Sequence, residues 1–210
     1  MLKPRWSALV LLGMRIAQPE VYHHFADHRG WLGIANFGDV ASNLAFAVAG
    51  IWGLIILLKR PSQVEFVDSR ERWPYFLLFV GLLLTAWGSS YYHLAPDNPR
   101  LVWDRLPMTI GFMSLVAAII AERINLRAGL ILLPVLLVIE VGSVLQWRAS
   151  ELRGEGDLRF YGAVQAYAVL VELLALVIQP RYTRTYDLAI VGGFDVLAKI
   201  LELRDREIYS

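Results

Sequence analysis

The chain has 210 residues, of which 57% are hydrophobic and 19% are charged, and its formal net charge is +1. A soluble domain usually carries about 25% charged residues, and a nucleic-acid-binding surface needs a basic face, so the composition argues against both classes. The chain contains no cysteine, which excludes disulfides and thiolate metal ligands.

Long apolar runs predict helices that cross a membrane, since a spanning helix needs roughly 20 mostly apolar residues. The runs are continuous rather than alternating, which disfavours strands. In chain order they cover about 6–18, 40–58, 74–95, 101–121, 129–147, 160–178 and 186–203. The predicted fold class is therefore all-α, a polytopic transmembrane bundle of about six core helices plus an N-terminal hydrophobic anchor.

Residues 1–19 are predicted to form this N-terminal anchor or a signal-like helix, and residues 20–210 the transmembrane domain. The first segment follows Lys3 and Arg5 and ends at Pro19, without a small-residue cleavage site of the A-x-A kind. A retained anchor is therefore favoured over a cleaved signal peptide. Loop Lys and Arg residues are more numerous on the side of the N-terminus, which predicts an N-terminus inside the cell.

Polar residues in two neighbouring segments form the first candidate site. Ser89 and His93 are four residues apart, so they share one helix face. A turn at 96–99 precedes Asp104, and an antiparallel hairpin would bring His93 and Asp104 to a similar membrane depth. Charged groups in a bilayer are costly and usually functional. The spacing alone also fits, and slightly favours, a helix-capping Asp and a hydrogen-bonded interfacial His.

A second group precedes the first long apolar run. Asp39 fits a helix N-cap, and Asp39 and Asn43 share a face on which both could offer oxygen to a cation. Asp157 is another N-cap candidate, before the segment near 160. His24 and His28 could meet as metal ligands in a helical turn, although a solvated loop is the more common arrangement. Glu140 lies in an apolar segment and needs a partner inside the bundle.

Several stretches together resemble the alkaline ceramidase family, within a superfamily of seven-helix membrane hydrolases that includes adiponectin-receptor-like proteins. Ser89-x-x-x-His93, followed by Asp104 in the run WDRLPM, resembles the family's S-x-x-x-H and L-D-E-L-P-M signature. Residues 22–27 (YHHFAD), 36–46 and 156–161 resemble the bacterial branch. The resemblance covers roughly residues 20 to 209.

The resemblance implies an intramembrane zinc amidase that cleaves a ceramide-like membrane lipid. It makes His93 a zinc ligand, Asp104 the group that orients or deprotonates the attacking water, and Ser89 a donor to the oxyanion or a support for the metal. A calcium site near the start of the first family helix is matched in part by Asp39 and Asn43. The expected location is a bacterial cytoplasmic membrane, with no nucleic-acid partner and with an oligomeric state that the sequence does not define.

The resemblance also implies two further zinc-binding histidines, in an H-x-x-x-H pair on a last helix. The sequence ends at Ser210, about where that segment would begin. We expect a truncated product, a shortened inactive relative, or loop histidines that substitute as ligands, in that order. The rival functions are a non-catalytic lipid-binding or receptor-like protein and, less favoured, a transporter with a polar path through Asp104, Glu140, Glu172 and Asp195.

Overall fold

The computed structural model describes residues 15–59, 66, 68–178 and seven single positions between 190 and 207. Within these residues, regular secondary structure is helical apart from one isolated β-bridge between Trp31 and Ile34. Two 3₁₀ turns, at Glu20–His23 and Ser69–Glu71, precede longer elements. The α-helices are α1 (Phe37–Ser42), α2 (Leu44–Lys59), α3 (Arg72–Leu94), α4 (Asn98–Arg123), α5 (Leu126–Leu152) and α6 (Arg159–Val177).

Among the described residues, five helical stretches are long and apolar enough to cross a membrane by length and composition. This makes the chain a multi-pass membrane protein and confirms the all-α fold class. The five stretches are Phe37–Lys59, Ser69–Leu94, Asn98–Arg123, Leu126–Leu152 and Arg159–Val177.

The two outermost predicted segments fall mainly outside the described residues. These are the first, at 6–18, and the last, at 186–203. Residues 15–18, the end of the first predicted segment, are not helical. Gln18 precedes Pro19, and a residue before proline is disfavoured from helical backbone angles.

Side-chain caps fix where α4 and α5 begin. Asp97 precedes α4, and its Oδ1 accepts a hydrogen bond of 2.7 Å from the backbone N–H of Arg100. Asn125 does the same for α5 by accepting from the N–H of Ala128 at 3.1 Å. Such caps satisfy backbone donors that have no partner inside the helix. They hold the turns short and make α3, α4 and α5 antiparallel neighbours.

Small residues set the spacing and register of the α3–α4 pair. A Cβ on Gly81 would meet the backbone nitrogen of Gly111 at 2.7 Å, and a Cβ on Gly88 would overlap the carbonyl oxygen of Trp103. Close approach at small residues is how spanning helices associate when lipid surrounds them. This register places Gly88 opposite Trp103, and it fixes the relative depth of the candidate site residues.

Helix α4 is the centre of the bundle and packs against α3, α5 and α6. The side chains buried between α4, α5 and α6 form what we call the apolar core: Met113, Val116, Ala117, Ile120, Leu133, Leu136, Val164 and Ala168. Large apolar side chains such as Ile131, Val138 and Leu173 face outward and are exposed. An apolar outer surface is what contact with lipid requires.

Residues 15–36 form an irregular segment, here called the cover, across one end of the bundle. That end, here called the capped end, comprises the last turns of α3 and α5 and the first turns of α4 and α6. The cover is joined to it at Ile16, whose carbonyl accepts from the N–H of Leu158 at 2.8 Å. At its other extremity Asn36 Nδ2 donates to the carbonyl of His93 at 2.8 Å. The predicted site residues therefore lie beneath an N-terminal segment.

Candidate functional site

His93 lies in the last turn of helix α3, at the capped end, with its ring between the cover and helix α1. The ring centroid lies 4.7 Å from that of Phe25, and His93 Nδ1 is 3.9 Å from Asp39 Oδ2. Nδ1 is buried and has no hydrogen-bond partner among the described residues. A buried polar atom left in this way is uncommon and calls for an explanation.

Ser89 lies one turn deeper on the same face of α3 and is buried. The two helices are antiparallel and Gly88 lies opposite Trp103, so Ser89 is level with Val102, two residues from Asp104, and His93 is level with Asn98. His93 is thus about six residues, or roughly 9 Å, nearer the end of the bundle than Asp104. The equal depth expected for His93 and Asp104 is therefore not observed, and the acid that His93 faces is Asp39.

Asp39 and Asn43 share a face as predicted, but Asp39 is not the N-cap. Helix α1 begins at Phe37, and the residue before it, Asn36, has a positive φ of 48°. The side chain of Asn36 caps nothing because it bonds to His93 instead. Asp39 therefore lies inside the first turn, where its carbonyl oxygen accepts from Asn43 Nδ2 at 3.0 Å.

A polar network that the sequence did not predict joins the cover to three helices. His23 Nδ1 lies 2.8 Å from the Tyr92 hydroxyl, and His23 Nε2 lies 2.9 Å from Asn98 Oδ1. Asn98 Nδ2 donates to Glu151 Oε2 at 3.2 Å, and Trp147 Nε1 donates to Glu151 Oε1 at 3.2 Å. Because Asn98 Oδ1 can only accept, His23 Nε2 carries a proton, and in the neutral ring Nδ1 accepts from Tyr92.

The other two loop histidines do not join this network. His24 and His28 are both exposed, which agrees with the solvated loop rather than the ligand pair. Asp104 is half-buried and lies within electrostatic reach of Tyr92 and Tyr161. Glu140, fully buried in α5, finds the partner that the sequence could not name, since Gln165 Nε2 donates to Glu140 Oε1 at 2.7 Å.

Two aspartates at the capped end are held as anions by neighbouring arginines. Asp27, 1% exposed, accepts from Arg29 Nε and from the N–H of Gly38, both at 2.7 Å. The bond from Arg29 is the main reason that the pKa of Asp27 is below its ordinary value. Hydrogen bonding to Arg159 likewise lowers the pKa of Asp157 to about 2.

Asp157 is not the N-cap of α6, because the helix begins at Arg159 and the residue before it is Leu158. The backbone N–H of Asp157 donates to Ser150 Oγ at 2.8 Å, which ties the loop to the end of α5. From this position the Asp157 carboxylate still accepts from the first N–H of the helix, on Arg159, at 3.1 Å.

His93 and Asp39 are near enough to each other to be considered as donors to one metal ion, but they are only two side chains. The separation of 3.9 Å between His93 Nδ1 and Asp39 Oδ2 exceeds a hydrogen bond and is shorter than two zinc–ligand distances of about 2.1 Å. A catalytic zinc normally keeps three protein ligands. No cluster of three His, Asp or Glu side chains suited to a metal occurs in the described part of the chain.

Comparisons with known proteins add no relative to this picture. Neither a protein-family model nor a curated protein nor a solved structure matches the chain. The roles considered for Ser89, His93 and Asp104 therefore depend on the motif resemblance and on the geometry of the capped end.

Proposed function

We propose that the protein is a ceramidase-like intramembrane hydrolase that cleaves the amide bond of a ceramide-like membrane lipid. The observation that carries the proposal is the buried His93 Nδ1, which has no hydrogen-bond partner in the described part of the chain and faces Asp39 Oδ2 at 3.9 Å. Such an atom at the membrane–water boundary is suited to a metal or a substrate.

Ser89 and Asp104 complete the proposed site from the level below. In this proposal Ser89 donates a hydrogen bond to the oxygen that becomes negative when the amide carbonyl is attacked. Asp104 orients the attacking water and takes its proton. In the α3–α4 register Ser89 lies about two residues from the level of Asp104, or roughly 3 Å along the helix, and this closeness supports their acting on one substrate.

Zinc is the proposed cofactor, with His93 as a ligand, and the resemblance also implies calcium at Asp39 and Asn43. His93 and Asp39 are two candidate donors, which is fewer than a catalytic zinc keeps. A complete zinc site needs at least one further ligand. The described residues contain no group of three His, Asp or Glu side chains that would supply it.

The test measures zinc per chain and ceramide hydrolysis in detergent-purified protein. We expect His93→Ala to lose both, and Asp104→Asn to lose hydrolysis while it keeps the metal. His28→Ala is the matched control, since it also removes a histidine but from an exposed position. Unchanged turnover in the His93→Ala protein would contradict the proposed role.

The second candidate is a non-catalytic protein that binds a membrane lipid or acts as a receptor for one. The incomplete donor set around His93 favours it. It predicts saturable ceramide binding in lipid nanodiscs with no release of fatty acid and no bound zinc. Product formation that depends on His93 would reject it.

A bacterial cytoplasmic membrane, with the N-terminus inside and the capped end outside, is the proposed setting. The absence of cysteine from the sequence makes this simple to test. We expect Arg153→Cys, at the capped end, to react with a membrane-impermeant maleimide in intact cells. Lys59→Cys, at the opposite end, should react only after lysis, and the reverse pattern would invert the topology.

A further inference from the structure

Arg105 is a buried cation at the capped end, enclosed by aromatic rings. It is 6% exposed, and its guanidinium carbon lies 4.2 Å from the ring centroid of Trp147, 4.6 Å from that of Tyr161 and 5.9 Å from that of Tyr22. Its Nη2 donates to Gln18 Oε1 at 2.6 Å. We call these five side chains the Arg105 cage.

The hydrogen bonding of the Arg105 guanidinium is incomplete. Nη1 is buried and has no hydrogen-bond partner among the described residues, and no ion pair there joins Arg105 to an acid. The carboxylate of Glu151, nearby, already accepts from Trp147 and Asn98. Aromatic faces stabilise a cation from above and below, but they do not accept the hydrogen bonds that point outward in the guanidinium plane.

A buried charge normally has an opposite charge or a full set of hydrogen bonds. The only hydrogen-bond acceptor at the edge of Arg105 within the described chain is the neutral amide oxygen of Gln18. A carboxylate has the same shape at its oxygens, carries the missing charge, and can engage Nη1 and Nη2 together. Gln18 thus occupies half of a site that fits an anion.

We propose that the Arg105 cage binds the anionic headgroup of an amphiphile, with a carboxylate as the best fit and Gln18 as a displaceable placeholder. The headgroup would bond to both terminal nitrogens of Arg105, after Gln18 has moved aside. This is a binding site separate from His93, and it does not require amide hydrolysis to occur.

The position of the cage favours an amphiphile over a free anion. Tyr22, Trp147 and Tyr161 surround it where three spanning helices meet the capped end, and aromatic side chains concentrate at membrane–water interfaces. Leu152 and Phe160, close in sequence to the cage residues of α5 and α6, are exposed apolar side chains. They offer a surface for an acyl chain beside the headgroup.

Displacing Gln18 requires few bonds to break. Its backbone N–H makes only a long contact of 3.5 Å with Glu151 Oε1. The neighbouring residue, Ile16, is attached through its backbone alone: its carbonyl accepts from the N–H of Leu158, and its N–H bonds to the Asp157 carboxylate. The preceding ion pair, Arg15 with Glu155 at 3.0 Å, has both side chains about half exposed, and such pairs are weak.

The first experiment measures equilibrium binding of radiolabelled palmitate to the full chain in phosphatidylcholine nanodiscs. We expect saturable binding that Arg105→Gln weakens at least about tenfold, since it removes the charge-assisted pair. Arg100→Gln is the matched control, because Arg100 lies at the same end but pairs with Asp97 at 2.9 Å. Palmityl alcohol, acetate and inorganic phosphate should compete poorly. Competition by acetate or phosphate as strong as that by palmitate would overturn the amphiphile assignment.

A second pair of variants keeps Arg105 in place, and so decides the matter even if Arg105→Gln does not fold. Gln18→Glu supplies an internal carboxylate, and we expect it to raise the Tm and to abolish palmitate binding. Gln18→Ala opens Nη2, and we expect palmitate binding at least as tight as in the wild type. A lower Tm for Gln18→Glu, or equal palmitate binding by both Gln18 variants, would show that the cage is purely structural.

Discussion

The apolar core and the capped end are both closely packed, but different forces hold them together. In the core, side chains such as Met113 and Leu133 come from consecutive antiparallel helices, so the partners are close along the chain. At the capped end, Gln18 and His23 bond to residues that are 69 to 133 positions away. The core is assembled from hairpins, whereas the capped end depends on where the cover lies.

The difference shows which changes each region tolerates. Lipid offers no hydrophobic drive for helices to associate, so close contact at small residues decides the packing of the core helices. At the membrane–water boundary, polar groups lose water when they are buried and must recover hydrogen bonds. The core should therefore respond to added volume, and the capped end to lost hydrogen bonds.

The largest expected effect comes from adding one methyl group between α3 and α4. Gly88→Ala places a Cβ against the carbonyl of Trp103, where neither backbone can yield without moving a helix. We expect a loss of about 3 kcal/mol in the free energy of unfolding, the upper part of the range for overpacking. Denaturation in detergent, followed by circular dichroism, measures it.

Gly142→Ala in α5 is the control, because a Cβ there has no neighbour within 4 Å. Alanine is the better helix former, so this change should stabilise by about 0.5–1 kcal/mol. Equal destabilisation by the two substitutions would mean that the α3–α4 contact is not as close as described.

The next effect tests the capped end through its network. His23→Ala removes the bonds to Tyr92 and Asn98, and at about 1 kcal/mol for each net hydrogen bond we expect a loss of about 2 kcal/mol. Hydrogen exchange should speed up in residues 15–36 and stay unchanged in the apolar core. His28→Ala, at an exposed position, should change neither; a uniform increase across the bundle would refute a local role for His23.

The smallest effect is a pH dependence at the aspartates of the capped end. The folded-state pKa of Asp157, about 2, lies below the ordinary value of 3.8. The contribution of Asp157 to the free energy of unfolding is therefore complete above pH 3.8 and is lost as the pH falls from 3.8 toward 2. At about pH 6 we expect Asp157→Asn to lower the Tm, with a loss of less than about 1 kcal/mol in the free energy of unfolding. At about pH 2 the variant should match the wild type. A constant difference across this range would exclude the carboxylate as the cause.

The sequence predicted the described helices well because the length of an apolar run is a direct measure of a span. The segments expected at 74–95 and 160–178 are observed at Arg72–Leu94 and Arg159–Val177. The segment expected at 129–147 is longer, at Leu126–Leu152. Its last turn carries charged side chains such as Glu151, which end a hydropathy run although the helix continues.

The candidate site was predicted only where it lies on one helix. Ser89 and His93 share a face because helical spacing requires it. The sequence could not predict that His93 approaches Asp39 or that aromatic rings enclose Arg105. Both features depend on the path of chain segments in three dimensions. The cover has no hydrophobic period, so a pattern search treats it as an ordinary loop.

The long reach of Gln18 has a consequence for how the protein is made. Its partner Glu151 follows 133 residues later, and at roughly 5–20 residues per second the ribosome delivers it about 7 to 27 s after Gln18. Throughout that interval the start of the cover lacks its partner, although His23 can already meet Tyr92 and Asn98. The cover therefore docks in two stages, with the part around His23 able to bind before the part around Gln18.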